Sequence, residues 1–184
     1  MDKTLQEFDQ AIDLCKNVFV KKMHDYGVAW RILRLTSITD QIYIKAQRIR
    51  SIEEKGMHKV DEGIVPEFIG IVNYAVMALI QLELGSSSVE NISLPETEAI
   101  KLYEHYVQQA KELLINKNHD YDEAWRNMRV SSYTDIILMK LLRIKQIETI
   151  QGNTLISEGL DANYFDIFNY AVFALIKLND KPLN

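Results

Sequence analysis

An eight-residue string occurs twice in this chain, as HDYGVAWR at His24–Arg31 and as HDYDEAWR at His119–Arg126. The offset is 95 residues (119 − 24), and it holds well beyond the string. Lys22, Ser37, Thr39, Asp40, Lys45 and Arg48 recur at Lys117, Ser132, Thr134, Asp135, Lys140 and Arg143, and Arg34 recurs at Arg129. After one extra residue near Gly152 the offset becomes 96, and Asn73-Tyr74-Ala75-Val76 matches Asn169-Tyr170-Ala171-Val172. The 184 residues therefore divide into a first unit (1–85), a linker (86–94) and a second unit (95–184). Each unit is too small to cover its own apolar surface well, so the two are expected to pack across a pseudo-two-fold axis as a built-in dimer.

Only seven glycines and three prolines leave little room for a turn-rich β fold. Apolar steps of three and four mark helices instead. Leu5, Phe8, Ile12, Cys15 and Phe19 define one helical face, opened by Thr4 with Glu7 as a capping box and running to about Met23. Gly27 is placed to end or bend that helix. Ser37 and Asp40 look like the start of a second helix, carrying Ile42, Ala46, Ile49 and Ile52 inward and ending near Gly56. Pro66 suits the first position of a third helix, apolar almost all round to Leu84, which belongs in the middle of a bundle. Gly85 reads as its C-cap. In the second unit Leu102, Tyr106, Leu113 and Leu114 supply the inward face of the next helix, and Asp161 reads as an N-cap. The expected fold is all-α: two homologous three-to-four-helix units packed as a pseudo-two-fold helical bundle.

A net charge of −5 argues against indiscriminate coating of nucleic acid by the whole surface, though not against a local basic patch. Cys15 is the single cysteine, which excludes an internal disulfide or a thiolate-based zinc site and suits a small core residue. No apolar signal core opens the chain, and Pro66, Glu67, Asn73 and Tyr74 interrupt its longest apolar stretch. The expectation is a cytoplasmic protein with no membrane partner, free to form oligomers.

Polar residues kept in both copies carry the functional reading. Arg31 and Arg34, and likewise Lys45 and Arg48, lie three apart on one helical face. With Tyr26 and Trp30 they could hold a phosphate and stack a base; Arg126, Arg129, Lys140, Arg143, Tyr121 and Trp125 repeat the set. The alternative is that the arginines clamp helices through acidic neighbours. His119, Asp120 and Asp135 are the candidates for acid–base chemistry, against a structural reading of the histidine at a helix C-terminus. Asn73 and Asn169 sit inside the greasiest helix, where an unpaired amide costs about 1–3 kcal/mol, so each needs a partner or a ligand. Asp166, on the face of Asn169, could hold Mg²⁺ with Glu158 or Asp135, whereas the first half has Gly70 at that place. No Gly-rich phosphate loop, H-E-x-x-H or G-x-S-x-G is present.

The series K-x-H-D-Y-x-x-A-W-R, S-x-T-D, K-x-x-R and N-Y-A resembles the nucleotide-modification-associated domain family, long filed as a domain of unknown function. The resemblance covers nearly all of both halves. It implies an association with systems that alter nucleotides or DNA bases. Gly27 matches the family's glycine after D-Y and Asp166 an acidic position before N-Y, while Asp122 and Gly70 depart from them. The departures imply one active half beside one degenerate half. The expected partner is a nucleotide or another phosphate-bearing small molecule, with nucleic acid as the larger form of the same chemistry. The alternatives are a Mg²⁺-dependent nucleotide hydrolase using Asp166, Asp135 and His119, and a non-catalytic helical interaction module.

Overall fold

The apolar steps of three and four become six long helices in a computed structural model, which describes residues 2–55, 60–121, 123–150 and 159–180. The side chains of residues 2, 60–62, 120 and 121 lie outside that description. The helices are α1 (Asp2–Tyr26), α2 (Leu35–Lys55), α3 (Val60–Leu84), α4 (Glu96–Tyr121), α5 (Val130–Thr149) and α6 (Leu160–Asn179). Short 3₁₀ turns at Ala29–Ile32, Val89–Asn91 and Ala124–Asn127 complete the regular structure, and there is no strand among the described residues.

The helices form three layers of two. α3 and α6 pack against each other in the middle, α2 and α5 pair on one side, and α1 and α4 cover the other. The middle pair is apolar enough to need cover on both sides. Phe68, Ile71, Val72, Ala75 and Val76 of α3 are buried, as are Ile167, Phe168, Ala171 and Val172 of α6. By length and composition Gly63–Leu84 would suffice to cross a bilayer. In the fold it is the bundle's central helix, and its polar Asn73 and Glu67 have partners inside the protein.

Reciprocal contacts define the axis, because a two-fold makes residue i meet j wherever the partner of j meets the partner of i. Lys16 reaches Glu104 at 2.5 Å and its counterpart Lys111 reaches Asp9 at 2.6 Å. The Thr39 hydroxyl donates to Glu148 at 2.8 Å, and that of Thr134 to Glu53 at 2.9 Å. Lys145 meets Asp40 at 2.7 Å while Arg50 meets Asp135 at 3.6 Å. Burial raises the carboxyl groups of both Glu53 and Glu148 above the usual range, more than their threonine partners lower them. S-x-T-D is therefore an axis motif.

Several helix ends differ from the sequence reading. Thr4 and Glu7 lie inside α1 rather than capping it, since both side chains reach the second-half turn. α2 and α5 begin at Leu35 and Val130, ahead of Ser37 and Ser132, and their Thr and Asp face the axis instead of the helix end. α3 starts at Val60, so Pro66 interrupts the hydrogen-bond ladder from within. Ile64, two residues before the proline, is buried in the core. Gly159, not Asp161, occupies the N-cap of α6, because an Asp161 carboxylate oxygen lies where a β-carbon would stand. On α4 the buried stripe is Ala99, Tyr103, Ala110 and Leu114, and Leu113 is exposed. Small alanines let α4 approach the central pair, and Tyr103 turns inward to donate to Asn73 at 2.9 Å. The expected helix end near Gly56 lies outside the described residues.

Candidate functional site

Each copy of the repeated string is a helix end followed by a tight turn. His24, Asp25 and Tyr26 form the last turn of α1, and Gly27 leaves it at φ 62°, its N–H bonded to the Met23 carbonyl at 2.7 Å. In the second copy α4 runs to Tyr121, and Glu123, the counterpart of Val28, takes the left-handed backbone at φ 55°. A side chain there costs roughly 1 kcal/mol. Hydrogen bonds offset it: Glu123 accepts from the Thr4 hydroxyl at 2.5 Å and from Arg126 Nε at 2.7 Å. Those two donors hold the Glu123 carboxyl down at about 2. The middle pair fastens both turns. Gln81 donates to the carbonyls of Arg31 and Leu33 at 2.9 and 2.7 Å, and Lys177, its counterpart on α6, donates to those of Arg126 and Met128.

Behind each turn lies a cavity, and the two are related by the axis. The first, about 320 Å³, is lined by Phe19, Lys22, Met23, Trp30, Tyr74 and Met77 among others. The second, about 420 Å³, is lined at equivalent places by Leu114, Lys117, Asn118, Trp125, Tyr170 and Phe173, together with Asp166 and Asn169. Both fall in the size range of small-molecule sites. They differ in polarity. Asn118 replaces Met23, and its Nδ2 is buried without a hydrogen-bond partner. The Asn169 Oδ1 atom is buried in the same condition, and so is the indole nitrogen of the tryptophan in each cavity, Trp30 and Trp125. Asn169 donates to the Ala110 carbonyl at 3.2 Å as Asn73 does to that of Cys15 at 3.0 Å, but α1 has Phe8 where α4 offers the Tyr103 hydroxyl.

The carboxylates diverge more sharply. In the first half Glu67 accepts from Arg48 at 2.6 Å and from Lys45 at 3.3 Å, and the Lys45 stem lies over Gly70. In the second half Asn163 stands for Glu67, and the carboxylate sits one turn on, at Asp166. Asp166 pairs with Lys117 at 2.5 Å and with Lys140 at 2.9 Å. Two ammonium groups on one carboxylate oppose a divalent cation there, and no cluster of three metal-ligating side chains occurs among the described residues. Glu158, the other metal candidate, lies outside the described residues, and Asp135 faces Arg50 across the axis.

The model of the nucleotide modification associated domain 1 family matches residues 22–82 and 117–178, one copy in each half. The chain belongs to this family. No curated protein and no solved structure matches it. The matched segments begin at Lys22 and Lys117, so this family's region contains both turns, the lining of both cavities apart from Phe19 and Leu114, and the axis contacts of α2 and α5.

The remaining candidates fall into two groups. Arg31 is 6% exposed and donates to the Gly85 carbonyl at 2.7 Å, and burial lowers its pKa. Arg126 binds Thr4 at 2.6 Å and Glu7 at 2.5 Å besides Glu123. Trp125 stacks on Phe173 (centroids 4.2 Å apart, planes 6°) with the Arg126 guanidinium 4.5 Å from its ring centroid, so its faces serve packing. Trp30 packs against Phe19. These four brace the turns. Tyr26 (75% exposed), Arg34, Arg129 and His119 lie at the surface, and the side chains of Asp120 and Tyr121 lie outside the described residues. Lys140 and Arg143 lie one turn apart on α5, and Lys140 pairs with Asp166 of α6. Asn118, Met128, Tyr170 and Phe173 were not singled out from the sequence. The signal for Asn118 was present as a polar residue at the position of an apolar one, Met23.

Proposed function

We propose that the second half binds a nucleotide, with its base in the cavity between α4 and α6 and its phosphate at the Lys117–Lys140 edge. The observation that carries this reading is the concentration of unpartnered buried polar atoms around one apolar cavity. Asn118 Nδ2, Trp125 Nε1 and Asn169 Oδ1 each lack a hydrogen bond there. Each such group costs about 1–3 kcal/mol, so a ligand that satisfies even two of them regains substantial free energy. Leu114, Met128 and Tyr170 supply apolar wall, and Lys117 supplies positive charge at the rim. Membership of a nucleotide-modification-associated family supports the same ligand class.

The first half is the natural control: its cavity shares the unpartnered Trp30 Nε1, but Met23 stands where Asn118 does, and Asn73 Oδ1, the counterpart of Asn169 Oδ1, accepts from Tyr103. Titration calorimetry with nucleosides and nucleotides tests the reading on the wild type and on Asn118→Met, which copies the first-half residue. Binding by the wild type and its loss in the folded variant is the expected result. Equal heats from both proteins, or none from either, would refute it.

A further inference from the structure

The first-half cavity matches its partner in place and differs from it in chemistry. Where the copies differ around it, the first half is the more apolar. Met23 stands for Asn118 in the wall, and Ile32 stands for Asn127 at the turn. Phe19, Trp30, Leu33 and Met77 add to that apolar wall. The nearby Asn73 amide is engaged elsewhere, with the Tyr103 hydroxyl at 2.9 Å and the Cys15 carbonyl at 3.0 Å. Tyr26 and Ile32 belong to the lining and are 75% and 40% exposed, so the cavity opens to solvent on their side.

One charge interrupts the apolar wall. Lys22 is the single charged residue among the described residues that line this cavity. It has no ion-pair or hydrogen-bond partner among the described residues. Its counterpart Lys117 pairs with Asp166 at 2.5 Å, and both of those residues line the second cavity. The first half has Gly70 at the place of Asp166, and its Lys45 is already held by Glu67 at 3.3 Å. The first half thus keeps the lysine at the cavity and lacks the carboxylate that answers it.

We propose that the first-half cavity is a second binding site, for a small monocarboxylate with an apolar body, such as a medium-chain fatty acid. The ligand's carboxylate pairs with Lys22 as Asp166 pairs with Lys117, and its body lies against Trp30, Leu33 and Met77. Met23 and Met77 are unbranched and flexible, so the wall adapts to the body it receives. One unpaired ammonium answers one negative charge, which a carboxylate supplies and a phosphate monoester, at about −1.5 to −2, exceeds. The proposal does not rest on the nucleotide reading, which concerns the other cavity.

Each cavity contains one of the chain's two tryptophans, so two indole N–H resonances report on the two sites separately. The test is an NMR titration of the full chain with hexanoate, octanoate and octanamide, the two resonances being assigned with Trp125→Phe. Octanoate should shift the Trp30 resonance and leave that of Trp125 in place. Each methylene added between hexanoate and octanoate should tighten binding roughly three- to fourfold. Octanoate should bind about two- to fivefold more tightly than octanamide at low salt, a margin that closes as salt is added. Lys22→Gln, a change at an exposed position, should abolish that margin and leave octanamide affinity unchanged. Gly70→Asp, which copies the second-half carboxylate, should abolish it as well. Octanamide that binds the wild type as tightly as octanoate would overturn the carboxylate assignment, and so would a margin that survives Lys22→Gln. A Trp30 resonance that no acid shifts would overturn the site itself. Nucleotides are read at the Trp125 resonance, so either proposal can fail while the other stands.

Discussion

Replacing Arg126 with methionine removes the hub that ties the second-half turn to the start of α1. Methionine keeps an apolar stem beside Trp125 and deletes the guanidinium. Three hydrogen bonds are lost, to Glu123 at 2.7 Å, Thr4 at 2.6 Å and Glu7 at 2.5 Å, together with the contact 4.5 Å from the Trp125 centroid. A hydrogen bond to a charged group contributes about 1.5–3 kcal/mol, and an exposed cation–π contact about 0.5–1 kcal/mol. The terms share one side chain, and the arginine is about a quarter exposed, so solvent screening reduces their sum. The expected loss is about 2–4 kcal/mol, or roughly 5–15 °C in melting temperature for a chain of this size. Its pH dependence follows from Glu123, whose carboxyl sits at about 2 instead of the ordinary 4.5. A lowered carboxylate stabilises the fold above its unfolded value and loses that effect as pH falls through the folded value. Urea titrations of wild type and Arg126→Met should therefore differ most at neutral pH and converge as pH falls from 4.5 toward about 2. A difference below about 1 kcal/mol at pH 7, or one that grows on acidification, would show that the hub is not what fixes this turn.

The other predictions concern single contacts. Asn73→Leu should cost about 2–4 kcal/mol in urea unfolding, since it orphans the Tyr103 hydroxyl and the Cys15 carbonyl; Asn169→Leu should cost less, because Asn169 makes one such bond and already carries an unpartnered oxygen. Glu53→Gln should leave stability at pH 7 unchanged or higher, and the difference from wild type should narrow as the solution is acidified. A carboxyl raised by burial favours the protonated form, so the wild type gains stability as pH falls through that raised value. Cys15 is fully buried with its thiol pushed up to about 12, so a thiol reagent should label it only after denaturant is added. Gly70→Ala should change stability by no more than about 1 kcal/mol, because the gain in helix propensity is set against displacement of the flexible Lys45 stem.

The number, order and approximate ends of the helices were legible because burial imposes a period of three to four on each of them. The apolar face of α1 and the central place of α3 and α6 follow from that alone. The purposes of Thr4, Glu7, Thr39 and Asp40 did not. Each is a good capping residue locally, and each instead reaches a side chain in the other half, about 100 residues away along the chain. Local spacing carries no record of such a partner. The α4 stripe shifted for a similar reason, since Tyr103 is as suited to a surface as Tyr106 until Asn73 is placed beside it. Of the residues that the sequence singled out, Trp125, Asp166 and Asn169 line the second cavity, whereas the bracing role of Arg126 was illegible. A guanidinium that braces a turn and an ammonium at a cavity edge look the same in sequence.

The duplication also reverses the weight given to repeated residues. A polar residue kept in both copies has two reasons to persist: a ligand bound by each copy, or a contact with the other copy across the axis. Thr39 with Thr134 and Asp40 with Asp135 meet the second condition directly, each pair making the same contact in mirrored sense. Such residues make the two halves one body. A site that serves only one half must draw on positions where the copies differ, and the second-half cavity has several. Met23 against Asn118, Glu67 against Asn163, Gly70 against Asp166 and Met77 against Phe173 all lie at one cavity or along its α5–α6 edge. On the proposed reading these differences make the second half the nucleotide site, on a frame that the first half helps to hold, and restoring first-half residues there one at a time is the direct way to take such a site apart without unfolding the frame.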